Sequence, residues 1–553
     1  MKALPIPKLM RWGDSDNGVR ASGAWARDDA RQPGSPGKVL GQESRNRTQG
    51  HRYLSNEEIE IPQAAEYEAV LNKGQVIPRF FERLNKVYEQ LNHARKGRAG
   101  YVWDDLELRE EVTALVEWPT VYVGHFDADF LAVPNECLLL AMKQHQKYFP
   151  VLASLSGPLT LLSEFLVVSN IETSDSRGII HGNERVLRAR LSDAKFFFEQ
   201  DRKQKLEARV PQLANIVYHN KLGSQLDRVQ RITKTAAFIA VRLGADTAHA
   251  ERAAQLAKAD LVTGMVGEFP ELQGIMGMHY ARYDGEPEPV ARAIEAHYHP
   301  RFANDSLPDD NVAAAVALAD KLDTLVGIFG IGLQPTGDKD PFALRRHALG
   351  VLRILFEKSL PLDLMELLAL AKGQYAPDVV ADSVAVDVHL FMLERLRNYL
   401  RERGFEPAEI DAVASQQPTR VDLVQPRLVA VQSFRRLPES ASLAAANKRI
   451  RNILRKTAAP AGRAEFALLV EPAERALFDT MTQLEPRVAS LIAAEDYHQA
   501  LQLLATARDS VDTFFDKVLV MCDDAPLRAN RLALLRQLGE LMNQVADISR
   551  LAG

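Results

Sequence analysis

Cysteine is nearly absent from this chain of 553 residues: only Cys137 and Cys522 occur, far apart in the sequence. Two such residues supply neither the paired spacing of a zinc site nor a disulfide framework, which is typical of a reducing compartment. No apolar run approaches the roughly 18 residues that a membrane span requires, and the first residues lack the apolar core of a signal peptide. These absences predict a cytoplasmic protein without a membrane segment.

The overall charge gives no sign of a polycation. The net charge is −5, so a nucleic-acid partner would have to bind a local basic surface. The chain is too long for one hydrophobic core, and its 46% hydrophobic and 25% charged residues are typical of folded globular proteins. We therefore expect several domains.

Motifs for nucleotide chemistry are missing as well. The segment 332–339 (GLQPTGDK) comes nearest to a phosphate-binding loop, but its lysine stands one position late and no Ser or Thr follows it. Asp338 would place a negative charge beside a phosphate, and Pro335 removes a backbone N–H donor. We expect a turn here, and neither an ATP site nor a catalytic residue on this chain.

A helix start is predicted directly after that turn. Asp340 can cap the helix, Pro341 suits its first position, and an apolar stripe continues over 342–357. Arg345, Arg346 and Arg353 give this helix a basic side. Such a side is usually solvated or in contact with a partner subunit, and Arg345 and Arg346 are secondary candidates for RNA contact.

A metal-dependent phosphohydrolase of the helical HD type would need an adjacent His-Asp pair, which this sequence lacks. The position that would supply the pair holds Ala259 and Asp260, with Asp320 as the distant carboxylate and His219 as an upstream ligand. One imidazole and two carboxylates make a poor metal cage, so we predict no metal site. A hydrolase stays open as an alternative hypothesis, but the pattern favours an HD-type scaffold that has lost its metal site over a working hydrolase.

Apolar periodicity changes along the chain. Residues 14–36 have few large apolar residues and no period, which predicts an unstructured stretch. From 39 to about 168, β-type runs (120–126 and 165–171) mix with helical stretches such as 111–118, which indicates an α+β region.

Downstream of about residue 184 the sequence predicts long amphipathic helices, for example over 186–210. Turn-rich segments interrupt them at 267–274, 299–310, 332–341 and 416–422. The prediction is a mainly α, multidomain chain with regions 1–200, 201–375 and 376–553.

The strongest local charge lies between Arg427 and Arg463, where nine basic residues accompany a single acid, Glu439. Lys448, Arg451 and Arg455 recur at helical spacing on one face, whereas Ile450, Ile453 and Leu454 face away. A phosphate backbone is the natural partner of such a stripe, although a solvated helix surface would show the same pattern.

Long and ungeneric strings carry a family resemblance over nearly the whole chain outside 14–36. They are PIPKLMRWG (5–13), LVEWPTV (115–121), MKQHQKYFPV (142–151), GNERVLRARLSDAKFFFEQDRK (182–203), KLGSQLDRVQRI (221–232), GIMGMHYARYDGE (274–286) and DKLDTLVGIFGIGLQPTGDKDPFALRRHALGVLRI (320–354). On these strings the chain resembles the β subunit of the bacterial two-subunit glycyl-tRNA synthetase, a glycine-tRNA ligase.

This resemblance implies an α+β N-terminal remnant, a helical HD-like domain at 201–375, and a helical anticodon-binding domain at 376–553 similar to that of arginyl-tRNA synthetase. It implies a separate α subunit that uses ATP and magnesium, an α2β2 tetramer, and tRNA(Gly) as the RNA partner, with no cofactor on this chain and no DNA or membrane partner. A noncatalytic helical scaffold that only holds the α subunit is the second alternative. The candidate tRNA-binding residues are Arg345, Arg346, Arg435, Arg436, Lys448, Arg449, Arg451 and Arg455.

Two departures from the family pattern lie near the N-terminus. Members of the family carry substantial sequence before the segment matched by 5–13, so we expect an N-terminally shortened chain with an internal start at Met1. They also carry regular strand sequence where 14–36 has no pattern. We expect this stretch to be disordered or weakly packed, and a local frame error is the hypothesis for its origin.

Overall fold

The computed structural model describes residues 10–11, 18–19, 38–39, 42–43, 46–55, 57–457 and 462–552. They belong to two compact units, Met1–Lys203 and Gln204–Gly553. The prediction for 14–36 lies outside the described residues, except for a two-residue strand at Gly18–Val19. No helix within the described ranges is long and apolar enough to cross a membrane.

The first unit is α+β, as the sequence predicts. Its helices are α1 (Tyr67–Lys73), α2 (Phe80–Arg95), α3 (Leu106–Leu115), α4 (Asn135–Leu140), which continues into a π-helical turn at Ala141–Gln146, and α5 (Arg177–Asp201). Its strands are β1 (Met10–Arg11), β2 (Gly18–Val19), β3 (Lys38–Val39), β4 (Gln42–Glu43), β5 (Arg47–Gln49), β6 (Glu58–Glu60), β7 (Tyr101–Val102), β8 (Thr120–His125), β9 (Phe149–Leu152) and β10 (Leu161–Ser169).

An antiparallel sheet with the order β7-β9-β10-β8 forms the centre of this unit. β10 pairs with β8 from Ser169 opposite Thr120 to Glu164 opposite His125. Apolar residues spaced by four on α2 and α3 pack against the sheet because this spacing places them on one helical face. The buried cluster that results comprises Val87, Leu91, Leu108, Val112, Phe149, Val151 and Leu166.

In its described residues, the second unit is helical apart from one short hairpin, β11 (Val217–His219) and β12 (Gly223–Ser224). Its helices as far as residue 402 are α6 (Leu206–Arg209), α7 (Gln225–Arg242), α8 (Thr247–Leu256), α9 (Gly264–Glu268), α10 (Ile275–Asp284), α11 (Glu288–Ala296), α12 (Asn311–Gly330), α13 (Leu344–Glu357), α14 (Leu364–Lys372) and α15 (Val384–Glu402). The rest are α16 (Pro407–Ala414), α17 (Val424–Arg435), α18 (Ser440–Lys456), α19 (Pro472–Ala493), α20 (Tyr497–Ala505), α21 (Arg508–Lys517) and α22 (Ala525–Met542).

Helix α12 is the core of the first half of this unit. It is buried from Val312 to Phe329, and it packs against α7, α8, α11, α13, α14 and α15. A helix that is apolar on all sides requires such enclosure. Asp320, Lys321 and Asp323 are nevertheless buried at its centre, so each needs a partner on a neighbouring helix.

The second half of the unit is a set of helices that end in a 3-10 turn at Ile548–Leu551. α18 packs against α21, α22 and this turn, and α19 packs against α20, α21 and α22. The mainly α prediction is confirmed, and so are the breaks at 267–274, 299–310, 332–341 and 416–422. The division of the second unit near residue 375 stays a prediction.

Candidate functional site

The basic segment predicted from the sequence forms helix α18. Leu443, Ala444, Asn447 and Ile450 are buried on its inner face, and Ile453 and Leu454 are partly buried. The outer face exposes five cationic side chains: Lys448, Arg449, Arg451, Arg455 and Lys456. The predicted separation of a basic face from an apolar face is therefore confirmed.

Arg451 on this face has a structural partner. Its guanidinium forms an ion pair with Asp547, whose side chain is only 8% exposed, and it also donates to Oγ of Ser549 at 2.8 Å. Arg550 reaches the same carboxylate at 3.3 Å. Arg451 therefore fastens the C-terminal turn to α18. Lys448 lies nearby and donates to the carbonyl oxygen of Ala552 at 3.4 Å.

Arg435, at the end of α17, is also held in the fold. It donates to the buried carboxylate of Glu409 at 2.5 Å, which Gln432 contacts from the same helix at 3.0 Å. Glu409 in turn accepts the backbone N–H of Glu406 and so caps α16. Removing Arg435 would leave a buried acceptor without its charged donor, so this residue is first of all a packing residue.

The remaining predicted residues of this region are less constrained. Arg449 lies over the ring of Phe515 on α21, with its guanidinium carbon 4.5 Å from the ring centre. Arg436, Arg455 and Lys456 are exposed and form no ion pair within the described ranges. Arg436, Arg449, Arg455 and Lys456 are therefore the cations that a phosphate backbone can reach without breaking a salt bridge of the fold.

The helix start predicted near Arg345 and Arg346 differs in detail. Asp340 is not the N-cap and Pro341 is not in the first helical position, because α13 begins at Leu344 after Ala343 in a left-handed conformation (φ 54°). Asp340 still accepts the N–H groups of Leu344 and Arg345 at 2.8 and 2.9 Å, so it caps the helix from outside the first turn.

The basic side of α13 is narrower than the sequence indicates. The side chain of Arg345 donates back to the carbonyl of Gly337, and Arg346 is exposed. Arg353, which was expected on the same side, is buried and pairs with Glu357 at 2.6 Å. Only Arg346 therefore presents an uncommitted cation on this helix.

The HD-like position is occupied by a network of ion pairs. Asp320 on α12 receives Arg228 of α7 at 2.9 Å and Nζ of Lys258 at 3.0 Å. Burial alone would raise the pKa of Asp320, but Arg228 and Lys258 hold it well below its usual range. The carboxylate that an HD-type metal site would use is therefore neutralised by two side chains of the protein itself.

His297 fixes the other side of the Lys258 ammonium group. Its Nδ1 lies 2.6 Å from the carbonyl oxygen of Ile294, which can only accept, so Nδ1 carries the proton. Nε2 then accepts from Lys258 at 2.7 Å. Burial and the neighbouring ammonium keep the pKa of His297 well below its usual value, so the ring is neutral.

Asp260, the second carboxylate of the hypothetical metal site, is bound by backbone N–H groups. One of its oxygens accepts the N–H groups of Gly274 and Gly277 at 2.5 and 3.1 Å, which caps helix α10. Burial raises its pKa to about 6, against the opposing effect of these two N–H donors.

The side chains that a metal site would need are therefore not brought together. His219 accepts the N–H of Lys221 at 3.2 Å instead of joining Asp320, and no group of three ligating side chains occurs among the described residues. The phosphohydrolase alternative is not supported. Arg228, Lys258 and His297 were missed as parts of this site. The available signal was the charged triplet Asp320, Lys321 and Asp323 within an otherwise apolar helix, which calls for buried partners.

Comparisons with known proteins agree with the helical architecture. The family model described as "Glycyl-tRNA synthetase beta subunit" matches residues 1–415. A second model, described as "DALR anticodon binding domain", matches residues 443–548, a range that includes most of α18 and Asp547, the partner of Arg451.

Curated relatives match along the whole chain. The glycine–tRNA ligase beta subunit of Aromatoleum aromaticum is 55% identical over 100% of this chain and 79% of its own length. The proteins of the same name from Ralstonia nicotianae and from Neisseria meningitidis serogroup C are 51% and 50% identical, over 99% and 100% of this chain and 79% and 80% of their own lengths.

Proposed function

Because this chain belongs to the glycyl-tRNA synthetase beta subunit family, we propose that it binds tRNA(Gly) through the outer face of α18 and presents it to a partner subunit for glycine transfer. As a member of this family, the chain is a component of an aminoacyl-tRNA ligase. The observation that carries the proposal is the set of exposed cations on α18, within the range matched by an anticodon-binding domain.

Charge and geometry support this role for α18. No acidic residue occurs between Ser440 and Lys456, so nothing on the helix itself screens its cations. Phosphate contacts would fix the orientation of the tRNA, whereas exposed anticodon bases would be recognised by stacking and by contacts to their edges. Arg449, Arg455 and Lys456 are the proposed phosphate contacts.

The partner in this proposal is an α subunit in an α2β2 tetramer in the cytoplasm, which carries ATP and magnesium and activates glycine. Nothing resembling a nucleotide-phosphate loop forms at 332–339, where Thr336 and Lys339 pair across a tight turn. Glycine-dependent exchange of pyrophosphate into ATP should be undetectable with the purified chain and should appear when the α subunit is added. Exchange by the chain alone would contradict this assignment.

The test of tRNA binding is a triple Arg449→Ala, Arg455→Ala, Lys456→Ala variant titrated with fluorescent tRNA(Gly) over a range of salt concentrations. Each lost phosphate contact should make the slope of log affinity against log salt shallower by about 0.7 to 0.9. The slope of the triple variant should therefore be shallower by about 2 to 3 than that of the parent chain. Lys234→Ala is the matched control, because Lys234 is exposed on α7 and forms no ion pair within the described ranges.

An unchanged affinity and an unchanged salt slope in a folded triple variant would exclude α18 as the tRNA-binding helix. In that case Arg346→Ala, assayed in the same way, tests the second predicted surface. A loss of affinity in Lys234→Ala equal to that of the triple variant would also count against a specific role for α18.

A further inference from the structure

A cavity of about 540 Å³ lies beside the ion-pair network of the HD-like region, within the second unit. α7, α12, α13 and strand β11 line it, together with the segments that follow α8, α9 and α11. Its volume is within the range of small-molecule sites in proteins. Neither the anticodon-binding match at 443–548 nor helix α18 contributes to it.

Cationic side chains outnumber acidic ones on the walls of this cavity. The cations are Arg228, Lys258, Arg301, Lys321 and Arg346, and the carboxylates are Glu271 and Asp320. Arg301 is 3.5 Å from Glu295, which compensates its charge, whereas Asp320 is shared by Arg228 and Lys258 and cannot by itself neutralise both. Lys321 and Arg346 have no such carboxylate within ion-pair distance among the described residues.

The ammonium group of Lys321 has more N–H donors than the acceptors that contact it. The residue is only 2% exposed, and its ammonium group donates to the carbonyl oxygens of His297 at 3.0 Å and His299 at 2.7 Å. An ammonium group has three N–H donors, so one stays available. Neutral carbonyls do not neutralise a buried charge, which makes an anion the favourable occupant beside it.

Aromatic side chains supply the rest of the wall. Tyr218, Tyr298 and Phe342 line the cavity, with Arg228 over the ring of Tyr218 and Lys258 over that of Tyr298 at 4.4 and 4.0 Å. A cationic floor next to aromatic rings suits a ligand that joins a phosphate to a planar ring, since bases stack on aromatic side chains.

From this arrangement we propose that the cavity binds the phosphate group of a small phosphorylated ligand directly through Lys321, Arg346 and Arg228, with no metal bridge. Asp320, the carboxylate that a metal would need, is already engaged by Lys258 and Arg228. The site is separate from the tRNA-binding surface proposed for α18, and it does not depend on that proposal.

Calorimetric titration of the full chain with AMP, and with adenosine as the matched ligand without phosphate, tests this inference. AMP should bind with a stoichiometry of one and should be displaced by inorganic phosphate, whereas adenosine should bind about tenfold or more weakly, because it lacks the charged group. Arg346→Glu should weaken AMP binding by about 10- to 100-fold.

The opposite charge change provides a second, independent variant. Glu271 is an exposed carboxylate on the cavity wall, so Glu271→Gln should tighten AMP binding. Arg487→Glu on α19 is the matched control for Arg346→Glu, because Arg487 is exposed and outside the cavity. The exposed positions of all three residues make folded variants the expected result.

A final titration of the AMP-loaded chain with tRNA(Gly) identifies the source of the phosphate. Retention of AMP assigns the site to a free small molecule, and its release assigns the same phosphate-binding groups to the nucleic acid. The proposal is wrong if adenosine binds as tightly as AMP, if no AMP binds, or if Arg346→Glu and Glu271→Gln leave the affinity unchanged.

Discussion

Arg451 of α18 forms an ion pair with Asp547, a nearly buried carboxylate 96 residues later in the chain. The pair joins the helix that carries the basic face to the turn that ends the domain. One residue of the predicted tRNA-binding stripe therefore has a structural role that its neighbours Arg449 and Arg455 do not share.

The first prediction separates these two roles. Arg451→Ala should lower the free energy of unfolding by about 1–2 kcal/mol, because Asp547 loses one charged donor while Arg550 remains. Arg455→Ala should stay within about 0.5 kcal/mol of the parent chain. Urea unfolding followed by circular dichroism measures both. Equal stability of the two variants would mean that the Arg451 pair contributes nothing to the fold.

The second prediction concerns the close approach of helices α10 and α11. A Cβ atom on Gly277 would lie 2.6 Å from Cγ2 of Ile294 and 3.1 Å from Oδ2 of Asp260. Gly277→Ala should therefore destabilise the chain by about 1–3 kcal/mol. Gly267→Ala is the control, since its Cβ meets nothing within 4 Å. Thermal unfolding should show a loss for Gly277→Ala and none for Gly267→Ala.

The third prediction concerns the pH dependence of stability. The pKa of Asp260 is raised by burial from 3.8 to about 6 in the folded chain. The folded state then binds the proton more tightly than the unfolded state, so this contribution is present below about pH 4 and is lost as the pH rises through 6. Asp260→Asn should remove that contribution, on the order of 3 kcal/mol. The stability difference between parent and variant should change between pH 4 and 6, and a constant difference would contradict this origin.

The fourth prediction concerns anion binding in the cavity. Burial lowers the pKa of Lys321 to about 7 and that of Lys258 to about 8. An anion favours their protonated forms, so affinity should fall as the pH rises from 7 to 9, by up to about tenfold per pH unit for each proton taken up. Sulfate is the suitable probe, because it stays a dianion over this range.

The titration of Lys321 depends on its surroundings. The charged and titratable groups on the elements packed around it are Arg228 of α7, Asp320 of α12, Arg346 and His347 of α13, Lys258 after α8, and His297, Tyr298, His299, Arg301 and Asp305 after α11. Lys321→Met should flatten the pH profile of sulfate binding. A parent profile that is already flat from pH 7 to 9 would show that neither lysine contributes a proton.

Local sequence predicts the secondary structure well where the apolar periodicity and the capping residues indicate the same element. The run 120–126 forms β8, which ends at His125, and the run 165–171 overlaps β10, which covers Leu161–Ser169, because apolar and β-branched residues suit a sheet. The helix predicted at 111–118 instead covers Leu106–Leu115, since Asp105 caps it by accepting the N–H of Leu108 at 3.0 Å. The helix predicted over 186–210 begins earlier, at Arg177, and stops at Asp201.

For the candidate site residues too, the sequence predicted some features correctly and could not show others. Helical spacing was sufficient to place Lys448, Arg451 and Arg455 on one exposed face. It could not show that Arg435 binds Glu409, that Arg353 is buried, or that Lys258 neutralises Asp320. Glu409 lies on α16 and Lys258 lies in the segment after α8, so both contacts depend on the packing of separate elements, and the burial of Arg353 depends on the elements packed around α13.

The amino-acid sequence by itself determined the helical character of the chain, its family, and the face of α18 that carries the positive charge, because helix period and motif strings are local properties. Only the tertiary structure decided which of those charges stay free for a phosphate backbone and which are held by the fold. An ion pair such as that of Arg451 with Asp547 depends on the packing of segments that are far apart in the chain. A buried carboxylate forms such a pair because leaving it without a charged partner costs free energy.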